Sequence, residues 1–343
     1  MTTNEYHNGS AGRHSTAGAH LAADDDLWEK LVCPYCHGPL VREVDGAVCE
    51  DCGDEYPLAD DETLDLQPQR SKQVEQSFEL GGVNRYPDLP FETSAGSPNP
   101  DLDLSRLSLP RRLPRNLAAH IPRSTGADSL ALDLGCGKGI HREVCEAADY
   151  RWVGLDIDPS AATLVGDGQA LPFADDTFEF VLSLKVASQV GNPFVMFSEV
   201  RRVLEPGGVF VGNIASTEPF FGSNTFNVTP VGLHELLRQG GLETERVFPG
   251  WDGFAAQAQM GRFPLMPRLL CRGAVAPLRA ASMLWYRLSS IVVNHEKASE
   301  TFRRLNAAAE WHFVAHAPEE TPGPTGATAS RLDPRENGAD PGD

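Results

Sequence analysis

Leu130-Ala131-Leu132-Asp133-Leu134-Gly135-Cys136-Gly137-Lys138-Gly139 carries more structural information than any other run in this chain. Its apolar half reads as a buried strand that passes straight into a glycine-rich turn and a helix start. Glycines at 135, 137 and 139 permit backbone angles closed to other residues. They also remove the side chains that would hold the main chain away from a nucleotide-like ligand. Taken alone, such a turn also fits an ordinary strand-to-helix connection.

The segments that follow narrow the choice. Residues 151–158 read as a second apolar strand ending in a carboxylate, Asp156, about twenty residues beyond the glycines, where an acid can accept hydrogen bonds from a ribose diol. A third segment, 164–173, places another acid, Asp167, at a strand end, followed by Gly168, and a fourth strand is expected at 176–183. Between Asp158 and Leu164 the chain is too short for a crossover helix, so that flank of the sheet is expected to be thin.

Over residues 129–247 the chain resembles the class I S-adenosylmethionine-dependent methyltransferases, in the group that also holds ubiquinone and menaquinone C-methyltransferases. Asp133, Gly135, Gly137 and Gly139 fall on that family's first motif, Asp156 on its ribose-binding acid and Asp167 on the aspartate that meets the adenine amino group. Leu171-Pro172-Phe173, Asp176-Thr177-Phe178-Glu179 and the run from Glu199 to Gly208 follow in family order. The resemblance implies an α/β fold, a Rossmann-like seven-stranded sheet with helices on both faces. It implies S-adenosylmethionine held by Asp133, Gly135, Cys136, Gly137, Gly139, Asp156, Ile157, Asp167 and Gly168. A nicotinamide enzyme fits less well, because its signature is GxGxxG rather than GxGxG. A sulfonium donor needs no phosphate clamp, so Lys138 is expected at the surface, and Cys136 as a loop residue rather than a nucleophile.

The loop after the fourth strand often carries a substrate-facing histidine in this family. Here it has Gln189, and an amide takes no proton at neutral pH, so no catalytic base is assigned. Asn192-Pro193 reads as a helix cap and first-turn proline, with Phe194, Phe197, Val200, Val203 and Leu204 on one apolar face and Gly207-Gly208 as its end. A fifth strand is expected at 209–214. Residues 216–230 form a long aromatic and polar segment, read either as a substrate lid or as a surface loop packed on its own phenylalanines. A helix from Val231 to Gln239, a sixth strand at 242–248 and a last strand at 310–315 complete the set. Glu218, Gln189, Asn213 and His234 are candidates for substrate contact only, His234 on an exposed helix.

Upstream, Cys33-Pro34-Tyr35-Cys36 and Cys49-Glu50-Asp51-Cys52 form CxxC, twelve residues, CxxC. Each pair makes a knuckle whose thiolates converge on one tetrahedral ion, and four sulfurs select zinc. Asp45-Gly46 offers the hairpin turn between them. The stretch from Leu31 to Leu66 resembles the Trm112-like zinc ribbons, whose eukaryotic member activates several methyltransferases. A closed Cys33, Cys36, Cys49, Cys52 site implies a structural Zn2+, with His37 a bystander.

The 343 residues accommodate one full α/β domain, the ribbon and linkers. The expected layout is disorder over 1–26, zinc ribbon at 27–66, irregular linker at 67–126, methyltransferase domain at 127–317 and a disordered tail at 318–343. The start of the chain has neither a basic n-region nor an apolar run, and the seven cysteines suit a reducing compartment, so a cytoplasmic protein is expected. The net charge of −19 repels a phosphate backbone and disfavours nucleic acid. Residues 253–295 depart from that balance, with no Asp or Glu and with Arg262, Arg268, Arg272, Arg279 and Arg287 among leucines and aromatics. Such a basic amphipathic insertion, its phase broken at Pro277, fits a cap paired with the acidic body, a peripheral membrane contact, or contact with RNA or a partner protein. The leading expectation is methyl transfer to a small-molecule acceptor, lipid- or glycan-linked. Ribosomal RNA methylation and a non-catalytic adaptor that docks a partner through its ribbon stay open beside it.

Overall fold

The computed structural model describes residues 24–59, 63–75, 102–110, 113–158, 162–217, 224–250, 253, 266–292 and 307–319. Of the stretches expected to be disordered, 1–26 and 318–343, positions 1–23 and 320–343 lie outside the described residues, whereas Asp25 and Asp26 belong to a short helix; positions 218–223 of the candidate lid and 254–265 and 293–295 of the basic segment also lie outside them.

The ribbon begins with helix α1 (Asp25–Trp28), capped by Asp24, whose carboxylate accepts the Leu27 N–H at 3.1 Å. Strands β1 (Leu40–Glu43), β2 (Gly46–Cys49) and β3 (Glu55–Pro57) form an antiparallel three-stranded meander. The hairpin turn lies one residue earlier than expected. Glu43 pairs with Gly46, so Val44 and Asp45 turn the chain and Gly46 opens β2. Glycine is needed there because a Cβ would collide with the carbonyl of Tyr56 on β3.

After a short 3-10 turn and helix α2 (Arg115–Ala118), the large sheet is laid down by β4 (Leu130–Leu134), helix α3 (Arg142–Ala147), β5 (Arg151–Asp156), β6 (Leu164–Val165) and β7 (Phe178–Leu184). It is completed by helix α4 (Pro193–Val203), β8 (Leu204–Ala215), helix α5 (Pro230–Gln239), β9 (Glu243–Pro249), helix α6 (Arg268–Val292) and β10 (Glu310–His316). The strand order is β6-β5-β4-β7-β8-β10-β9, with β10 antiparallel to both neighbours and the other strand pairs of this sheet parallel. This is the Rossmann-like seven-stranded α/β sheet the sequence implied. Residues on opposite faces of each strand feed two cores. One joins the ribbon, α4 and α5. The other joins α2, α3 and the segment from Leu102 to Ile121.

Two local readings are corrected. Helix α4 is capped by Asn192 as expected, but it ends at Val203 rather than at Gly207-Gly208. Leu204 turns extended and pairs with Phe178 of β7, and the next pair along the two strands is Phe180 with Val209, so the glycines sit in a bulge within β8. Pro277 does not interrupt α6, which runs unbroken over 25 residues with the proline inside. Pro277 is exposed there, so the Gly273 carbonyl it leaves unpaired can be hydrated.

The ribbon packs onto the large sheet of the same chain. Leu31 bridges Phe173, Val32 N–H donates to Pro172 O at 3.1 Å, and Ala174 N–H donates to Lys30 O at 2.8 Å. The strip at the end of the ribbon runs alongside β6, Val165 N–H donating to Leu64 O at 3.0 Å and Leu66 N–H to Val165 O at 2.8 Å. Asp24 also accepts two hydrogen bonds from Arg151 Nη2 at the start of β5, at 2.9 and 2.8 Å. Leu27, Leu31, Tyr56, Leu64 and Leu66 thereby share one core with Leu155, Leu164 and Phe173.

Candidate functional site

The parallel strands end in register. Leu134 pairs with Leu155 and Ser183, and Asp156 pairs with Val165, so the glycine turn, Asp156, Asp167 and the residue after β7 converge at one edge of the sheet. Carboxyl ends of parallel strands are where α/β sheets open a ligand crevice.

Gly135, Gly137 and Gly139 have φ of +76°, +54° and +63°, left-handed values that a side chain makes costly. The amides of Gly135 and Cys136 donate to Leu155 O at 2.8 and 3.3 Å, which ties the turn to β5. A Cβ at Gly135 would collide with Val186, whereas one at Gly137 would meet open space. Gly137 therefore fronts a cradle. Its N–H donates to Asp156 Oδ2 at 2.7 Å, while Asp156 Oδ1 accepts the Asp158 N–H at 3.0 Å. Ile157 beside it is 69% exposed, an apolar side chain held out at the crevice edge. Asp167 Oδ1 accepts the Gln169 N–H at 2.9 Å, and both its oxygens lie 3.2 Å from the Gln169 amide nitrogen. Gly168 is buried against Leu134.

Asp133 sits beneath the turn rather than in the cradle. Its carboxylate is fully buried, 3.1 Å from His141 Nδ1, and it accepts the Trp152 indole N–H at 3.2 Å. His141 was missed in the sequence; its signal was a histidine at the helix start eight residues after Asp133. Its Nε2 is buried and has no hydrogen-bond partner, a polar atom at the glycine turn that a bound cofactor can satisfy. An open cradle at Gly137 and this orphan nitrogen both fit an adenosyl amino-acid ligand. Cys136 is buried, and that burial, then the charges of Asp133 and Asp156, push its thiol far above the usual range, so it stays protonated.

A second cluster faces the same edge from the other side of β7. Lys185, directly after the strand, has φ +69° and donates its N–H to Asn213 Oδ1 at 2.8 Å. Its buried ammonium forms an ion pair with Glu310, and Glu310 Oε1 lies 2.9 Å from His312 Nε2. Burial opposes ionisation of Glu310, but the hydrogen bond from His312 and the charge of Lys185 outweigh it and hold the carboxyl down to about 2. Sequence reading placed Glu310 and His312 in a strand without noticing that a period of two sets both on one face.

The remaining candidates are dispersed. Gln189 donates from Nε2 to Lys185 O at 2.6 Å. The described end of the candidate lid clamps this loop, Thr225 N–H donating to Ser188 O at 2.7 Å and Ser188 Oγ to Asn224 Oδ1 at 3.1 Å. Glu218 lies outside the described residues. His234 is half-buried rather than exposed, its Nδ1 3.0 Å from Thr244 Oγ1, and burial lowers its pKa.

In the ribbon, the four sulfurs of Cys33, Cys36, Cys49 and Cys52 lie within 4.8 Å of one another, with Cys33–Cys52 at 3.7 Å and Cys36–Cys49 at 3.5 Å. A disulfide requires about 2.05 Å. Zinc bonds of about 2.3 Å in a tetrahedron put sulfurs about 3.8 Å apart, which these separations match. Each knuckle turns on a left-handed residue four positions after its first cysteine, His37 (φ +62°) and Gly53 (φ +73°). His37 is not part of the cluster; its Nε2 lies 3.3 Å from Lys72 Nζ. The thiols differ: desolvation, then the neighbouring thiols, push Cys36 up to about 12, whereas for Cys33 burial is outweighed by the Tyr56 hydroxyl and nearby backbone N–H groups, which hold it down to about 7.

Residues 132–212 match the methyltransferase domain family. An uncharacterized methyltransferase of Mycobacterium leprae (strain TN) is 32% identical over 120 residues, covering 31% of this chain and 41% of the relative. One from Mycobacterium tuberculosis (strain H37Ra) is 32% identical over 151 residues, covering 37% and 56%. The chain thus spans about half the length of these curated relatives. Among solved structures, the complex between the Haloferax volcanii Trm112 methyltransferase activator and a methyltransferase aligns at 19% identity over 60% of this chain and 89% of that one, with a TM-score of 0.40. A sarcosine dimethylglycine methyltransferase from Galdieria sulphuraria aligns at 15% identity over 58% and 81%, with a TM-score of 0.37.

Proposed function

From the methyltransferase domain that this chain carries, we propose that it transfers a methyl group from S-adenosylmethionine to a small-molecule acceptor, lipid- or glycan-linked. The observation that carries the reading is the left-handed glycine turn, open at Gly137 and tied to Asp156. Gly135, Cys136, Gly137 and Gly139 would pass the backbone close to the cofactor, Asp156 would accept from the ribose, and Ile157, Asp167 and Gly168 would border the adenine. Asp133 would act from below, by orienting His141. Bound there, the cofactor supplies an electrophilic methyl on a sulfonium.

The chain's part is proximity, in-line alignment and exclusion of water, and no covalent enzyme intermediate is required. The Lys185–Glu310–His312 group would shape the acceptor side without net charge when His312 is neutral. Cys33, Cys36, Cys49 and Cys52 would hold one Zn2+ as a closed structural site with no position left for chemistry.

A charge of −19 weighs against a ribosomal RNA substrate, and a complete cofactor turn weighs against a purely adaptor role. Calorimetric titration of the metal-analysed protein with S-adenosylmethionine and S-adenosylhomocysteine tests the reading. Micromolar binding at one site, with one zinc per chain, is the expected result. A folded, zinc-loaded protein that binds neither compound would leave the adaptor reading in its place.

A further inference from the structure

Helix α6 carries its apolar residues on the wrong side for a helix that only caps a core. Cys271, Val275, Ser282, Met283, Tyr286 and Ser289 are its buried or half-buried described positions and fall on one side of the helix. The opposite side presents Leu270, Leu284, Leu288 and Ile291, flanked by Leu269, Leu278 and Trp285. Leu269 and Ile291 are each 80% exposed and Trp285 is 71% exposed. Between them lie only small uncharged residues, Gly273, Ala274, Pro277, Ala280 and Ala281. Exposed apolar surface of this continuity marks an interaction site.

The charge on this helix selects the partner. Arg272, Arg279 and Arg287 are exposed and line one shallow groove along the flank, and no acid occurs from 253 to 295 in a chain with 48 Asp and Glu. Their spacing of seven and eight residues sets a guanidinium about every 11 Å along a helix about 37 Å long. No helix among the described residues is long and apolar enough to cross a membrane.

We infer that α6 is an interfacial helix that lies in the headgroup plane of an anionic phospholipid bilayer. Its leucine and tryptophan stripe enters the acyl boundary and its arginines meet lipid phosphates. The inference does not depend on methyl transfer, because the binding it claims needs neither cofactor nor acceptor.

The test is co-sedimentation of the full chain with vesicles of phosphatidylcholine alone and of phosphatidylcholine mixed equally with phosphatidylglycerol. Binding to the mixed vesicles is expected, weakened by salt and much weaker on the neutral ones. Replacing Arg272, Arg279 and Arg287 with glutamine should weaken it by about a hundredfold. A Leu284→Asp/Leu288→Asp chain, altered only at exposed positions, should keep its thermal unfolding and stay in the supernatant. Brominated lipids should quench fluorescence in the parent and quench Trp285→Phe less. Equal recovery on both vesicle types, or none on either, overturns the inference. So does a dimer by light scattering that the Leu284→Asp/Leu288→Asp chain no longer forms, which assigns the face to a second copy.

Discussion

At Asp156 one carboxylate both closes the glycine turn and stands where a ribose would lie. Asp156→Ala should lower S-adenosylmethionine affinity by about tenfold to a hundredfold, the cost of losing a hydrogen bond to a charged group; unchanged affinity by calorimetry would mean the ribose site is elsewhere. Gly137→Val combines a β-branched side chain with φ +54° and fills the open cradle, so binding should be lost in a chain that still unfolds cooperatively. Glu310 offers a different readout. Its carboxyl is held at about 2 against an ordinary 4.5, so its contribution to stability is present above about 4.5 and drains away as pH falls toward 2. Urea unfolding between those pH values should fall more steeply for the parent than for Glu310→Gln. Lys185→Met strands that buried carboxylate and should cost about 3–5 kcal/mol, most of it recovered in the Lys185→Met/Glu310→Gln chain. None of the Lys185 group was legible in the sequence. A lysine after an apolar strand and a glutamate some 125 residues later become partners only once β10 inserts beside β8.

Among the elements, those with strong local signals read through correctly. The apolar run at β4, the Asn192-Pro193 cap on α4 and the Thr229-Pro230 start of α5 sit where residue chemistry alone puts them. Boundaries decided by pairing did not: Leu204 obeys its hydrogen-bonded neighbour Phe178 over the glycines that follow it. The docked ribbon was equally hidden, because nothing in a CxxC knuckle states which surface its outer side will meet. Its contacts make a prediction for the two units together. With Leu31 and Leu66 in the same core as Leu155 and Phe173, ribbon and sheet should unfold in one calorimetric transition. Cys36→Ser or a strong chelator should lower its midpoint by several degrees, in line with a loss of a few kcal/mol at the sheet edge. Two separate transitions in the zinc-loaded protein would show that the ribbon is an independent bead.

Across the whole molecule acid outweighs base, and α6 departs from that balance with four arginines and no acid. That division predicts no retention on a polyanion such as heparin at physiological salt, with retention appearing if the acidic surface were neutralised. It also explains why composition disfavoured one class of partner while leaving the acceptor open, since charge totals carry no information on a cleft lined by backbone and buried pairs. The strip at Leu64–Leu66 has a further meaning. It occupies the outer hydrogen-bonding groups of β6, a position that would otherwise be a bare strand edge, the kind that templates pairing with another chain. On the proposed reading of the four-cysteine cluster, chelation that loosens the ribbon should bare this edge, and light scattering of the chelated protein should then rise.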